Sequence, residues 1–87
     1  MKGKNPSITV TVRSFIFSRM QIKGFDLGEP FQMVLPLGST VESLARKILT
    51  NKMSQLGIMA INGKVTSGDT ELRKGDRVDL FELIQGG

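Results

Sequence analysis

Hydrophobic and polar residues alternate at both ends of the chain and follow a helical period in the middle. Ile8, Val10 and Val12 are interleaved with Thr9, Thr11 and Arg13. A two-residue period carried by β-branched side chains predicts a half-buried strand, here over residues 8–17. Residues 18–29 hold Gly24 and Gly28 and no clear period, so they read as a connection. Phe31, Met33, Leu35 and Leu37 alternate again behind Pro30, a second strand opened by a residue tolerated at a strand's first position. Val41, Leu44, Ala45, Ile48 and Leu49 then fall at i, i+3, i+4, i+7 and i+8, one apolar stripe of an amphipathic helix. Ser39 three residues before Glu42 has the spacing of a capping box, with Thr40 as the competing N-cap.

The second half is punctuated by turns. An apolar run at residues 58–61 ends in Asn62-Gly63, the pair preferred where both central residues of a hairpin turn need positive φ. Residues 64–67 form the expected return strand, and Gly68-Asp69 and Gly75-Asp76 mark further turns. A final strand is predicted over 77–84, with Val78 and Leu80 on one face and Asp79 and Phe81 on the other. The order is strand, strand, helix, short hairpin, strand. It predicts an α+β fold of the β-grasp (ubiquitin-like) type, a mixed sheet of four to five strands with one main helix across it. The terminal strands should lie side by side and parallel, because the helix occupies the crossover between the halves.

Length and composition narrow the function. Eighty-seven residues suit one domain, 1–87, which buries roughly 60–65% of its unfolded surface, with residues 84–87 expected to be a flexible tail. The apolar runs are too short to span a membrane. Met1-Lys2-Gly3-Lys4 is basic but no apolar segment follows it, so a cytoplasmic location is expected. The net charge of +4 comes from scattered residues, and Trp and Tyr are absent. Nothing resembles a basic stripe interleaved with stacking aromatics, and direct nucleic-acid binding is not expected. With no cysteine and no histidine, the chain lacks the usual thiolate and imidazole metal ligands and the commonest groups for acid–base and nucleophilic chemistry near neutral pH. Asp69, Glu71, Asp76 and Asp79 suggest a carboxylate cluster, but three of them adjoin glycine turns, where such residues serve the backbone. No bound metal or cofactor is expected.

The sequence closes on Gly86-Gly87, directly after strand-like residues. A diglycine has no Cβ to obstruct another protein's backbone, so it can be threaded into a partner's active site and its carboxylate activated there. Glycine-rich ends are also commonly just disordered, and the tail alone leaves both readings open.

Strand parity marks a candidate recognition surface. If Ile8, Val10 and Val12 face inward, Phe15 shares the outward face with Thr9, Thr11 and Arg13. If Val78 and Leu80 face inward, Phe81 shares the outward face with Arg77 and Asp79, and Leu83 has the same parity. Adjacent terminal strands would then present two aromatics on one solvent-facing surface, a feature of partner interfaces. The alternative is a bulge near Ser14 that turns Phe15 inward, with Phe81 under a loop.

Taken together, the chain resembles the MoaD/ThiS group of ubiquitin-like sulfur carriers, which includes the small subunit of molybdopterin synthase and the thiamine sulfur carrier. The likeness runs from Val10-Thr11-Val12-Arg13-Ser14-Phe15 through Gly38-Ser39-Thr40-Val41 and Leu44. It continues in Ala60-Ile61-Asn62-Gly63-Lys64-Val65, Leu72-Arg73-Lys74-Gly75-Asp76-Arg77-Val78, Phe81 and Gly86-Gly87. Length and the N-terminal motif are closer to the molybdopterin side. Glu82 and Leu83 stand where members on that side often carry a proline pair. The resemblance implies a carrier rather than an enzyme. A partner enzyme, using ATP, would adenylate the Gly87 carboxylate; a sulfur donor would convert it to a thiocarboxylate; a synthase large subunit or other biosynthetic acceptor would take the sulfur. Molybdopterin synthesis is the first expectation, with thiamine synthesis or tRNA thiolation as alternatives. Gly86 and Gly87 would be the reacting end, and Phe15, Val65 and Phe81 match the family's hydrophobic contact with its activating enzyme; Leu83 would extend that patch on parity alone. Two other readings compete: a ubiquitin-like modifier conjugated through Gly87, and a small RNA-binding module.

Overall fold

A computed structural model describes residues 6–16 and 28–83. Five strands make one sheet: β1 (Ser7–Phe15), β2 (Phe31–Pro36), β3 (Leu56–Ile61), β4 (Lys64–Thr66) and β5 (Arg77–Glu82). The helix α1 (Val41–Leu49) is followed by a 3-10 segment, Thr50–Gln55. The strand order is β2-β1-β5-β3-β4. β1 and β5 are parallel neighbours, as the crossover argument requires, while β1 with β2, β3 with β5 and β3 with β4 are antiparallel. This is the β-grasp that the element order predicts.

One face of the sheet makes the core. Ile8, Val10 and Val12 of β1 stand opposite Leu35, Met33 and Phe31 of β2. Val78 and Leu80 of β5 stand opposite Ile61 and Met59 of β3. Onto this surface α1 lays the whole predicted stripe, Val41, Leu44, Ala45, Ile48 and Leu49, all buried. Leu72, from the loop before β5, closes the same cluster. Each fully buried Leu or Val removes enough apolar area to contribute roughly 1.5–3 kcal/mol, so these residues carry most of the fold's cohesion.

The start of α1 is held from two sides. Thr40 is the N-cap: its Oγ1 accepts from the Ser43 amide at 3.2 Å, and Ser43 Oγ accepts from the Thr40 amide at 2.9 Å. The Ser39–Glu42 box expected from spacing is therefore replaced by Thr40–Ser43. Ser39 Oγ instead donates to the Pro36 carbonyl at 2.7 Å, and the Glu42 carboxylate pairs with Arg46. The loop before β5 supplies the remaining partners: the Val41 and Glu42 amides donate to the carbonyls of Thr70 and Gly68 at 3.0 and 2.8 Å. Helix amides that would otherwise lack acceptors are thus satisfied by tertiary contacts.

Strand limits differ from the expected ones where the local chemistry changes. β1 ends at Phe15 rather than at residue 17; the Ser14 carbonyl accepts from the Gly28 amide at 2.8 Å. Phe17 and the greater part of the connection, 17–27, lie outside the described residues. Leu37, expected to share the apolar face of β2, sits in the following turn, and its amide donates to the Pro6 carbonyl. The return strand β4 stops one residue short of Ser67, and β5 stops at Glu82. The apolar run at 58–61 is the end of a longer strand, β3, that starts at Leu56. The turn behaves as predicted, with φ of 51° at Asn62 and 88° at Gly63.

Candidate functional site

The other face of the sheet is described by its register. Phe15 of β1 stands beside Phe81 of β5, and their rings stack with centroids 5.1 Å apart and planes 6° from parallel. Phe81 in turn faces Ile58 of β3, which is 51% exposed. Three apolar side chains on three adjacent strands therefore form one row. Parity places both aromatics correctly, and the bulge that would have turned Phe15 inward does not occur: β1 pairs with β5 in unbroken register from Thr11 to Phe15.

A second row lies beside the first. Arg13, Asp79, Ala60 and Val65 follow one another across β1, β5, β3 and β4. Arg13 clasps Asp79 with two hydrogen bonds, Nε to Oδ1 at 2.8 Å and Nη2 to Oδ2 at 2.9 Å. Asp79 is only 5% exposed, because the guanidinium lies across it. The hydrogen bond to Asp79, then its charge, raises the Arg13 pKa above its ordinary value, with burial opposing weakly. Arg13 also sits 5.5 Å from the centroid of the Phe15 ring, within the range of a cation–π contact. The planar fork of the ion pair fixes Arg13 over the sheet and ties the charged row to the aromatic one.

Val65 caps the second row at the β4 edge and is 75% exposed. Leu83 follows β5; it is exposed, and its amide donates to the Gln55 carbonyl at 2.8 Å. The expected patch residues Phe15, Phe81 and Val65 thus occupy one face, and Leu83 lies just past the end of β5. Gly86 and Gly87 lie outside the described residues. Two features of the face have no local sequence signal. Ile58 lies within an apolar run in the sequence, and inward Met59 and Ile61 force it outward. The Arg13–Asp79 pair joins residues 66 positions apart, which no local pattern reports.

Three of the four carboxylates suggested as a cluster are engaged by donors of their own. Asp76 accepts from Asn62 Nδ2 at 3.0 Å and from the Arg73 amide at 2.8 Å, Asp69 accepts from Ser67 Oγ, and Asp79 belongs to Arg13. Among the described residues no group of three acidic side chains is placed to hold a metal ion, and no helix is long and apolar enough to cross a membrane.

With fold and face in hand, comparison with known proteins decides the family. The ThiS family model matches residues 25–87. The chain belongs to the ThiS family. It is thus one of the ThiS/MoaD-like, ubiquitin-fold sulfur carriers. Among solved structures it is similar to a Pyrococcus furiosus protein described as a candidate molybdopterin converting factor, subunit 1. The identity is 27% and the TM-score 0.66, covering 88% of this chain and 99% of that one. It shares its fold with SAMP1 from Haloferax volcanii, at 14% identity and a TM-score of 0.64, over 91% of this chain and 99% of that one. A Caldiarchaeum subterraneum ubiquitin matches at 13% identity and a TM-score of 0.61, over 94% of this chain and all of the other. No curated protein sequence matches.

Proposed function

We propose that this family member carries sulfur as a thiocarboxylate on Gly87, and that the face bearing Phe15, Phe81 and Ile58 docks the enzyme that activates it. The observation that carries the reading is the conjunction of the ThiS-family match through Gly87 with the stacked Phe15–Phe81 pair beside the last strand. A free carboxylate is a poor acyl electrophile. Its oxygen attacks the α-phosphorus of ATP on the partner, releasing pyrophosphate and leaving a Gly87 acyl-adenylate. A sulfide-level donor then attacks the carbonyl carbon, AMP leaves, and the C–S bond of the thiocarboxylate forms. The thiocarboxylate sulfur then attacks an electrophilic carbon of the acceptor, and water cleaves the resulting thioester at the Gly87 carbonyl, leaving the sulfur on the acceptor and returning the carboxylate. The carrier supplies the reacting end and the docking face; the partner supplies the acid–base and nucleophilic groups, which suits a chain without cysteine or histidine.

Docking on the sheet face has a physical rationale. Phe15, Phe81 and Ile58 offer aromatic and aliphatic area already held in place by the strands, so little side-chain entropy is lost on binding. Val65 extends the face at one end and Leu83 at the other. We propose a molybdopterin-type precursor as the acceptor, supported by the likeness to the Pyrococcus protein; thiamine synthesis and tRNA thiolation are the alternatives to set beside it.

Intact-mass analysis tests the chemistry. The chain is incubated with ATP, sulfide and an activating enzyme, then treated with a thiol alkylator. Because it has no cysteine, an ATP-dependent alkyl adduct in the last peptide reports a thiocarboxylate. Alkylation also separates sulfur incorporation from methionine oxidation, which changes the mass by nearly the same amount. A Gly87–lysine isopeptide with no adduct would favour the modifier reading.

A further inference from the structure

We propose that Gly57 is a positioning residue that sets where the main chain at residues 82–83 leaves the docking face, and so the point from which the reacting end is presented to a partner. The idea rests on the carrier reading above and adds to it a residue far from Gly87 in sequence. Between Leu56 and Ile58 the pairing of β3 with β5 slips: Leu56 faces Glu82, and Ile58 faces Phe81. Gly57 is the extra residue of this bulge, a device that bends a strand and re-aims the residues around it.

Glycine is needed there for space and not for conformation, since Gly57 is not among the glycines with positive φ. A Cβ at Gly57 would stand 2.8 Å from Leu83 Cα, 2.9 Å from Leu83 N and 3.0 Å from the Glu82 carbonyl oxygen. All three atoms are main chain, so no side-chain rotation relieves the overlap. The chain leaving β5 must move instead. On the far side of the bulge it is secured by the Leu83 amide, which donates to the Gln55 carbonyl at 2.8 Å. Gly57 therefore lets residues 82–83 lie flush against β3, beside both Ile58 and Phe81.

That placement links docking to chemistry. With the face seated on a partner, the main chain at Leu83 is the point from which Gly87, four residues on, must reach the partner's active site. Four residues span at most about 13–14 Å, so moving Leu83 moves the region that Gly87 can reach. A displacement of even about 1 Å at a reacting centre can cost on the order of 100-fold in rate.

The test is Gly57→Ala in the full chain, with adenylation followed by pyrophosphate release at varied carrier concentration. The expected result is a kcat at least 10-fold below wild type with KM for the carrier within about two-fold. In the free variant, hydrogen exchange should quicken at the Leu83 amide while the core amides of Val78 and Leu80 keep their protection. A second variant, one glycine inserted between Leu83 and Ile84, alters the run to Gly87 without touching the bulge, and should also lower kcat at unchanged KM. Wild-type kcat in either variant overturns the proposal, as does an unchanged Leu83 amide in Gly57→Ala or a loss confined to KM. Absence of turnover in the wild-type chain would instead count against the carrier reading itself.

Discussion

The two faces of the sheet are built from alternate residues of the same strands, yet they follow different rules. On the inner face, Val12, Val78, Leu80 and Met59 are neighbours whose only requirement is shape, met by the stripe of α1. On the outer face, Arg13, Phe15, Asp79, Phe81 and Ile58 meet each other across the same strands, and among the described residues no helix covers them. Large apolar groups left outside a core cost solubility, and a buried carboxylate demands a partner. A ring stack and a bidentate ion pair are how this surface accommodates both while staying ordered. The lesson is that the inner face specifies the fold, and the outer face is free to specify a partner.

Several substitutions separate the two roles. The largest effect is expected from deleting Gly87: ATP-dependent activation should vanish by intact-mass assay, while the melting temperature stays within about a degree because a glycine has no side chain to add to a core. Sulfur acceptance by the shortened chain would break the assignment. On the inner face, Leu80→Ala should cost about 3 kcal/mol in denaturant unfolding, through lost transfer energy and a cavity. A cost under about 1 kcal/mol would mean that the core tolerates rearrangement beneath the outer face. Thr40→Ala should cost about 1 kcal/mol by removing the N-cap, without changing partner affinity. Smallest is Arg46→Ala, which breaks the exposed pair with Glu42 at 2.6 Å and should change stability by about 0.3–0.5 kcal/mol.

What sequence reveals and conceals divides along similar lines. Val41, Leu44, Ala45, Ile48 and Leu49 announce the helix because one local period dictates both structure and burial. The alternation in β1 places Phe15 outward for the same reason, and Asn62-Gly63 specifies its turn by backbone sterics. Concealed features depend on contacts between distant segments. Ser39 and Thr40 are equivalent candidates for the cap until Pro36 offers Ser39 Oγ a carbonyl. Asp79 resembles any surface carboxylate until Arg13 folds over it. The start of β3 is hidden because Gly57 interrupts the alternation, and its reason for being glycine is a main-chain approach from residues 82–83. The family resemblance was legible in short motifs spread from Val10 to Gly87, and the ThiS match bears it out.

The measurement that bears most directly on the proposed division between the faces is the affinity of the activating enzyme for Phe81→Asp, read by calorimetry beside a thermal melt. The account predicts binding weaker by about 2 kcal/mol or more, roughly 30-fold, with a melting temperature within a few degrees of wild type. An unchanged dissociation constant would contradict it, and so would a variant that binds poorly only because the fold has been lost.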